Sequence, residues 1–124
     1  VYGGESYSMD NESTIVVSST FEWDGKNWSK PTPPEIPPPR ASFTMVYDSE
    51  RRKCIVSGGY CSGKLNEDVM WEWDGKDWAQ IPVADMPPGQ FTHDMVYDSG
   101  RKAIVLFGGD TGGPTNQMWE YKAK

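Results

Sequence analysis

The sequence predicts an all-β chain built as a tandem array, and three observations carry that prediction. The segment WEWDGKDW at 71–78 occurs as FEWDGKNW at 21–28, identical at six of eight positions, and begins again as WEY at 119–121. Trp23 and Trp73 are 50 positions apart and Trp71 and Trp119 are 48 apart, so the repeat is about 50 residues long. Alternating β-branched and aromatic runs are separated by turns drawn from 13 Gly and 10 Pro, with no sustained apolar stripe of helical period. Helix should be almost absent.

Composition narrows the function classes. A formal charge of −6 and a pI near 4.7 oppose nucleic-acid binding, which requires a basic face. The basic cluster Arg51, Arg52 and Lys53 is short and sits beside Glu50, and it reads as a solvated hairpin edge. No apolar run approaches the ~18 residues that would span a bilayer as a helix.

The elements follow in order. Residues 1–4, VYGG, align with LFGG at 106–109 and read as the end of a strand. Residues 5–13 are polar and turn-rich, and they lead into TIVVSSTFEWD, an extended run that closes on Asp24-Gly25. Asp-Gly between aromatic runs is a hairpin signal, because glycine readily takes the positive φ of a tight turn. Trp23 and Trp28 should therefore face each other across a hairpin. Six prolines between 29 and 40 deny backbone donors and favour an extended connector, and the stretch 84–90 is its counterpart. Strands at 42–48 and 92–98 follow, each with a turn and a second strand ending in Gly-Gly, and residues 45–59 match 95–109 at eight of fifteen positions. The loop from the doublet to the next aromatic-Glu pair spans 17, 12 and 10 residues in the successive copies, and variable loops on repeated strands are where binding differences collect.

This pattern resembles the kelch repeat on Arg40, Gly58-Gly59, Trp73 and Trp78, with Gly108-Gly109 and Tyr121 in the next copy and Gly3-Gly4, Trp23 and Trp28 in the preceding one. Gln90 departs from it, standing where the connector Arg is expected. The resemblance implies four-stranded antiparallel blades of a kelch-type β-propeller, with 42–48 and 92–98 as inner strands and the strands opening at Trp28 and Trp78 outermost. About two and a half blades are then present: the end of one in 1–30, a complete one in 41–83 and the first three strands of a third in 91–124, joined by Pro-rich connectors at 31–40 and 84–90. Such a piece leaves apolar faces open, at roughly 25 cal/mol for each Å² exposed. Either a longer polypeptide or several chains would cover them, and the longer polypeptide is the favoured expectation.

Among residues that could carry chemistry, the six tryptophans sit at repeat-locked positions and read as packing between blades. Aromatics that break the period are better ligand contacts, and Tyr60, which replaces the Asp110 of the next copy, is the first of these. Arg40, His93, Asp94 and Asp110 complete the candidate ligand-binding set, with His93 and Asp94 at the channel mouth. A His-Asp pair can move a proton, yet neighbours on a strand point to opposite faces, so no catalytic residue is assigned. No cofactor or metal is called for: one histidine and two cysteines match no zinc spacing. In galactose oxidase, whose central domain is built of similar repeats, copper needs two histidines and a Tyr-Cys crosslink. Cys54 reads as a small buried side chain, with a bridge to Cys61 as the alternative in an oxidising compartment. Asn11 and Asn27 stand in Asn-x-Ser sequons. Glu5, Asp10, Glu12, Glu67, Asp68 and Asp110 follow the glycine doublets and read as a solvated acidic rim.

Three functions fit. The leading expectation is a non-catalytic recognition or structural module, extracellular or at the cell surface, presenting loops to a protein or glycan partner. The others are part of a carbohydrate oxidase or isomerase whose catalytic residues lie on absent blades, and a self-assembling surface or fibre subunit.

Overall fold

In a computed structural model the chain is all-β, and the structure describes residues 1–9, 13–61, 64–65, 70–81, 93–110 and 113–122. Thirteen strands lie among them: β1 (Glu5–Ser8), β2 (Ser13–Val16), β3 (Glu22–Trp23), β4 (Trp28–Ser29), β5 (Thr44–Asp48), β6 (Lys53–Ser57), β7 (Tyr60–Cys61), β8 (Lys64–Leu65), β9 (Trp71–Trp73), β10 (Trp78–Gln80), β11 (Asp94–Asp98), β12 (Ala103–Phe107) and β13 (Met118–Tyr121). Every pairing between strands is antiparallel.

The central sheet has four strands in the order β10-β9-β6-β5, a meander in which each strand pairs with its sequence neighbour in the repeat. A three-stranded sheet, β11-β12-β13, repeats its first three strands, and the register repeats with it: Asp48 pairs with Lys53 and Asp98 with Ala103. The first unit is assembled from the β1-β2 and β3-β4 hairpins, joined by a bridge between Tyr2 and Thr20.

Local chemistry explains the turns. Asp24 Oδ1 accepts the backbone N–H of Lys26 and of Asn27, both at 2.7 Å, and Asp74 Oδ1 accepts those of Lys76 and Asp77 at 2.8 Å. Each aspartate thus closes a four-residue turn whose second position, Gly25 or Gly75, has φ near +100°. The Gly58-Gly59 doublet serves close approach as well as conformation. A Cβ on Gly59 (φ +98°) would lie 2.8 Å from the Ala41 carbonyl oxygen, a contact that only glycine avoids.

The core has two layers, one on each face of the central sheet. Cys54, Val56, Trp71, Trp73 and Trp78 pack toward Tyr2 of the first unit, while Ile55 and Met70 pack toward Met95, Ile104 and Leu106 of the third sheet. The alternation along β6, with Cys54 and Val56 on one face and Ile55 on the other, is the period of two that a strand imposes.

The basic cluster departs from the solvated edge that its composition suggests. Arg51 Nε meets Asp48 Oδ2 at 2.9 Å and its NH1 meets Glu72 Oε2 at 2.8 Å, while Lys53 Nζ lies 2.6 Å from Glu72 Oε1. Only Arg52, at φ +56° in the turn, is left exposed. Pairing across three strands brings Glu72 opposite the hairpin, and its carboxylate captures both cations.

Asp48 is buried, and burial raises the energy of its charged form. The Arg51 backbone N–H and guanidinium, together with the Tyr97 hydroxyl, outweigh that effect and hold its carboxyl below the usual range. With the folded-state pKa lowered, this stabilisation is complete above the unfolded value, about 3.9, and disappears as pH falls through the folded one. Asp48→Asn should lose about 1–3 kcal/mol at neutral pH in urea unfolding and show a shallower loss of stability in acid than the parent.

Candidate functional site

Two pairs of tryptophans stand on the WEWDGKDW-type hairpins. Trp23 pairs with Trp28 across the β3-β4 turn, and Trp73 pairs with Trp78 across β9-β10. The two pairs have the same internal geometry, with ring centroids 5.5 Å apart at 46° in the first and 5.4 Å apart at 45° in the second. Their surroundings differ completely: Trp23 and Trp28 are 53% and 59% exposed, Trp73 and Trp78 only 7% and 4%. Packing between units therefore accounts for the second pair, while the first stands half-exposed along a cleft it shares with Met45, Cys54, Trp73 and Trp78.

The buried pair shows what such a surface binds. The Tyr2 ring meets Trp78 edge-on at 5.0 Å and lies 5.7 Å from Phe43. Trp73 Nε1 donates to Glu22 Oε1 at 2.8 Å, and Trp78 Nε1 donates to Thr20 Oγ1 at 2.9 Å. Each indole thus buries its rings against the neighbouring unit and finds an acceptor for its only polar atom. The Tyr2 hydroxyl in turn donates to the Pro37 and Pro38 carbonyls, at 2.7 and 2.9 Å, pinning the proline connector to the first unit. A cleft of about 370 Å³ remains between the units, lined by Thr20, Glu22, Trp23 and Trp28 of the first and by Met45, Cys54, Trp73 and Trp78 of the central sheet.

A second cluster forms around the Gly58-Gly59 doublet and contains part of the sequence-derived candidate set. Tyr60 bridges to Ala41 and donates its hydroxyl to Glu5 Oε1 at 3.1 Å, joining the two loops that follow successive doublets. Arg40 is wholly buried. Its Nε donates to the Pro38 carbonyl and its NH1 to the Gly58 carbonyl, both at 3.1 Å, and its own carbonyl accepts the Gly4 N–H. The guanidinium therefore braces the junction from inside. A ligand at the surface would not meet it.

His93 is buried as well, at the position that Phe43 holds in the preceding repeat. Neither ring nitrogen has a hydrogen-bond partner among the described residues. Desolvation pulls its pKa down, against the opposing effects of the Asp94 carboxylate and the Ser57 carbonyl, so burial favours the neutral ring. Asp94 is exposed and accepts the Met95 N–H at 2.9 Å. Asp110, beyond the end of β12, makes an isolated bridge to Pro114. The structure thus brings Arg40 and Tyr60 together and sets His93, with the Asp94 carboxylate acting on it, near the same doublet through Ser57.

Cys54 is a free thiol facing the aromatic layer, and burial raises its pKa. The side chain of Cys61, its proposed partner, lies outside the described residues, as do Asn11, Asp10, Glu12, Glu67, Asp68, Gln90 and the connector 84–90. Asn27 is exposed in the β3-β4 turn. Among the described residues no group of three His, Cys, Asp or Glu side chains could hold a metal ion, and no helix is long and apolar enough to cross a membrane.

Sequence reasoning missed the exposed Trp23-Trp28 surface, because repeat position alone assigned both residues to packing. Compared with family models and with curated proteins, the chain matches none, so its function rests on this geometry.

Trp78→Ala should cost about 3–5 kcal/mol in chemical denaturation of the dilute chain, whereas Trp28→Ala, the same change in the preceding repeat, should cost under about 1 kcal/mol. His93→Phe should remove the loss of stability that the parent shows as pH falls below about 6.5, since protonating a buried imidazole favours the unfolded chain.

Proposed function

We propose that the chain is a section of a kelch-type β-propeller that serves as a non-catalytic recognition or structural module, presenting variable loops to a protein or glycan partner. One observation carries this reading: a four-stranded antiparallel meander is followed by a three-stranded sheet that repeats its first three strands in the same register, with core side chains packing each sheet against its neighbour. Read as blades, the sheets run from inner β5 and β11 to outer β10, and the loops after the Gly-Gly doublets share one rim. Tyr60 and Glu5 meet on that rim, where a period-breaking aromatic beside a carboxylate offers an apolar face and an acceptor to a glycan or a peptide. His93 and Arg40, the residues best suited to chemistry by type, are both buried, and Arg40 donates to backbone carbonyls. Their placement favours binding over turnover.

The reading is tested by probing the full chain with a glycan array and, in parallel, assaying simple sugars for oxidation and isomerisation. Saturable glycan binding that weakens about tenfold or more in Tyr60→Ala, with an unchanged circular dichroism spectrum and no sugar turnover, is the expected result. Turnover that survives Tyr60→Ala and vanishes in His93→Gln would overturn it.

A further inference from the structure

The connector between β4 and β5 carries more proline than joining two sheets requires. The stretches 29–40 and 79–90 are equal in length, and the pair Pro37-Pro38 of the first recurs as Pro87-Pro88 in the second. The first also has Pro31, Pro33, Pro34 and Pro39, where the second has Ile81, Val83, Ala84 and Gly89. Each proline ring fixes its own φ and drives the residue before it to extended backbone, so Pro37 and Pro38 are held in polyproline II geometry on both counts. Among the described residues no peptide bond is cis, and none between 31 and 41 has a positive φ. Both ends of the segment are fastened. Lys30 Nζ lies 5.7 Å from the centre of the Phe21 ring, while the Tyr2 hydroxyl holds the Pro37 and Pro38 carbonyls and Arg40 Nε donates to the latter.

Burial along the end of the segment follows the three-residue period of polyproline II. Pro37 and Arg40 are fully buried, whereas Glu35, Ile36, Pro38 and Pro39 are exposed, Ile36 at 48%. Two dipeptides, Glu35-Ile36 and Pro38-Pro39, thus project outward on either side of one buried proline. Between 31 and 39 only Thr32, Glu35 and Ile36 carry a backbone N–H, so no strand can pair along the segment. A partner must instead pack on its side chains and donate to its carbonyls, as the Tyr2 hydroxyl already does from the inner side. Aromatic-lined grooves read proline-rich ligands in this way.

We infer that residues 35–39 are a docking site for a partner protein whose groove is lined by tryptophan and tyrosine. The site goes beyond the Tyr60 rim and does not depend on it. Because the fastened connector already holds the geometry that such a groove accepts, little ordering entropy is lost on binding. The sheets of this chain pack face to face, so a further sheet at either end would leave the connector uncovered.

A panel of purified SH3 and WW domains, probed with the labelled full chain, tests the site. At least one domain should bind saturably. A variant carrying both Ile36→Ser and Pro39→Ala leaves Pro37, Pro38 and Arg40 in place, so it should keep the parent's circular dichroism and urea midpoint. Its affinity for that domain should fall about tenfold or more, while Tyr60→Ala should bind as the parent does. A folded chain that no domain binds overturns the docking site. Binding that survives the double substitution also overturns it, since the contact would then lie elsewhere, for instance on the exposed tryptophans. Glycan binding without domain binding would overturn this site and leave the rim intact, and domain binding without glycan binding would do the reverse.

Discussion

The docking of the Trp73-Trp78 pair onto Tyr2, Thr20 and Glu22 is the contact on which the rest of the structure depends. It covers one face of the central sheet, and it does so without stranding either indole N–H, since Glu22 and Thr20 accept them. An indole buried against a purely apolar neighbour would leave a donor unsatisfied at a cost of about 1–3 kcal/mol. The first unit contributes acceptors and a ring together, so apolar area is gained with the polar atoms paired. The opposite face is simpler. There Ile55 and Met70 meet Met95, Ile104 and Leu106, and apolar shape alone suffices.

Around these layers, the polar residues hold the strands in register. Asp48, Arg51, Lys53 and Glu72 form one network across β5, β6 and β9, and the Tyr97 hydroxyl joins it from the third sheet. Arg40 does the same work at the other end of the central sheet by binding carbonyls on both sides of the connector. Each buried cation or anion is tied to partners on different segments, so the network selects this arrangement among others of similar apolar burial.

The doublet rim is a second polar junction. Tyr60 and Glu5 meet there between the first unit and the central sheet, so the contact that joins the two units also sets a ring beside a carboxylate.

Strand periodicity, the Asp-Gly turns and the 50-residue spacing were legible from the residues alone, because each depends on local backbone geometry that a few side chains dictate. The pairing of Trp23 with Trp28 followed from the turn between them. Exposure did not follow, since it depends on which neighbour reaches a given face: two tryptophan pairs with the same sequence context and ring geometry ended as one buried and one open. Arg40 and His93 illustrate the same limit. Both were legible as period-marking or period-breaking residues, but only the approach of Gly58 and Ser57 from other strands decided that they lie inside. The sequence by itself determined an all-β repeat with its turns and its alternating strand faces. The tertiary structure alone decided which faces are closed, because closure is a contact between units about fifty residues apart, and no short segment specifies it.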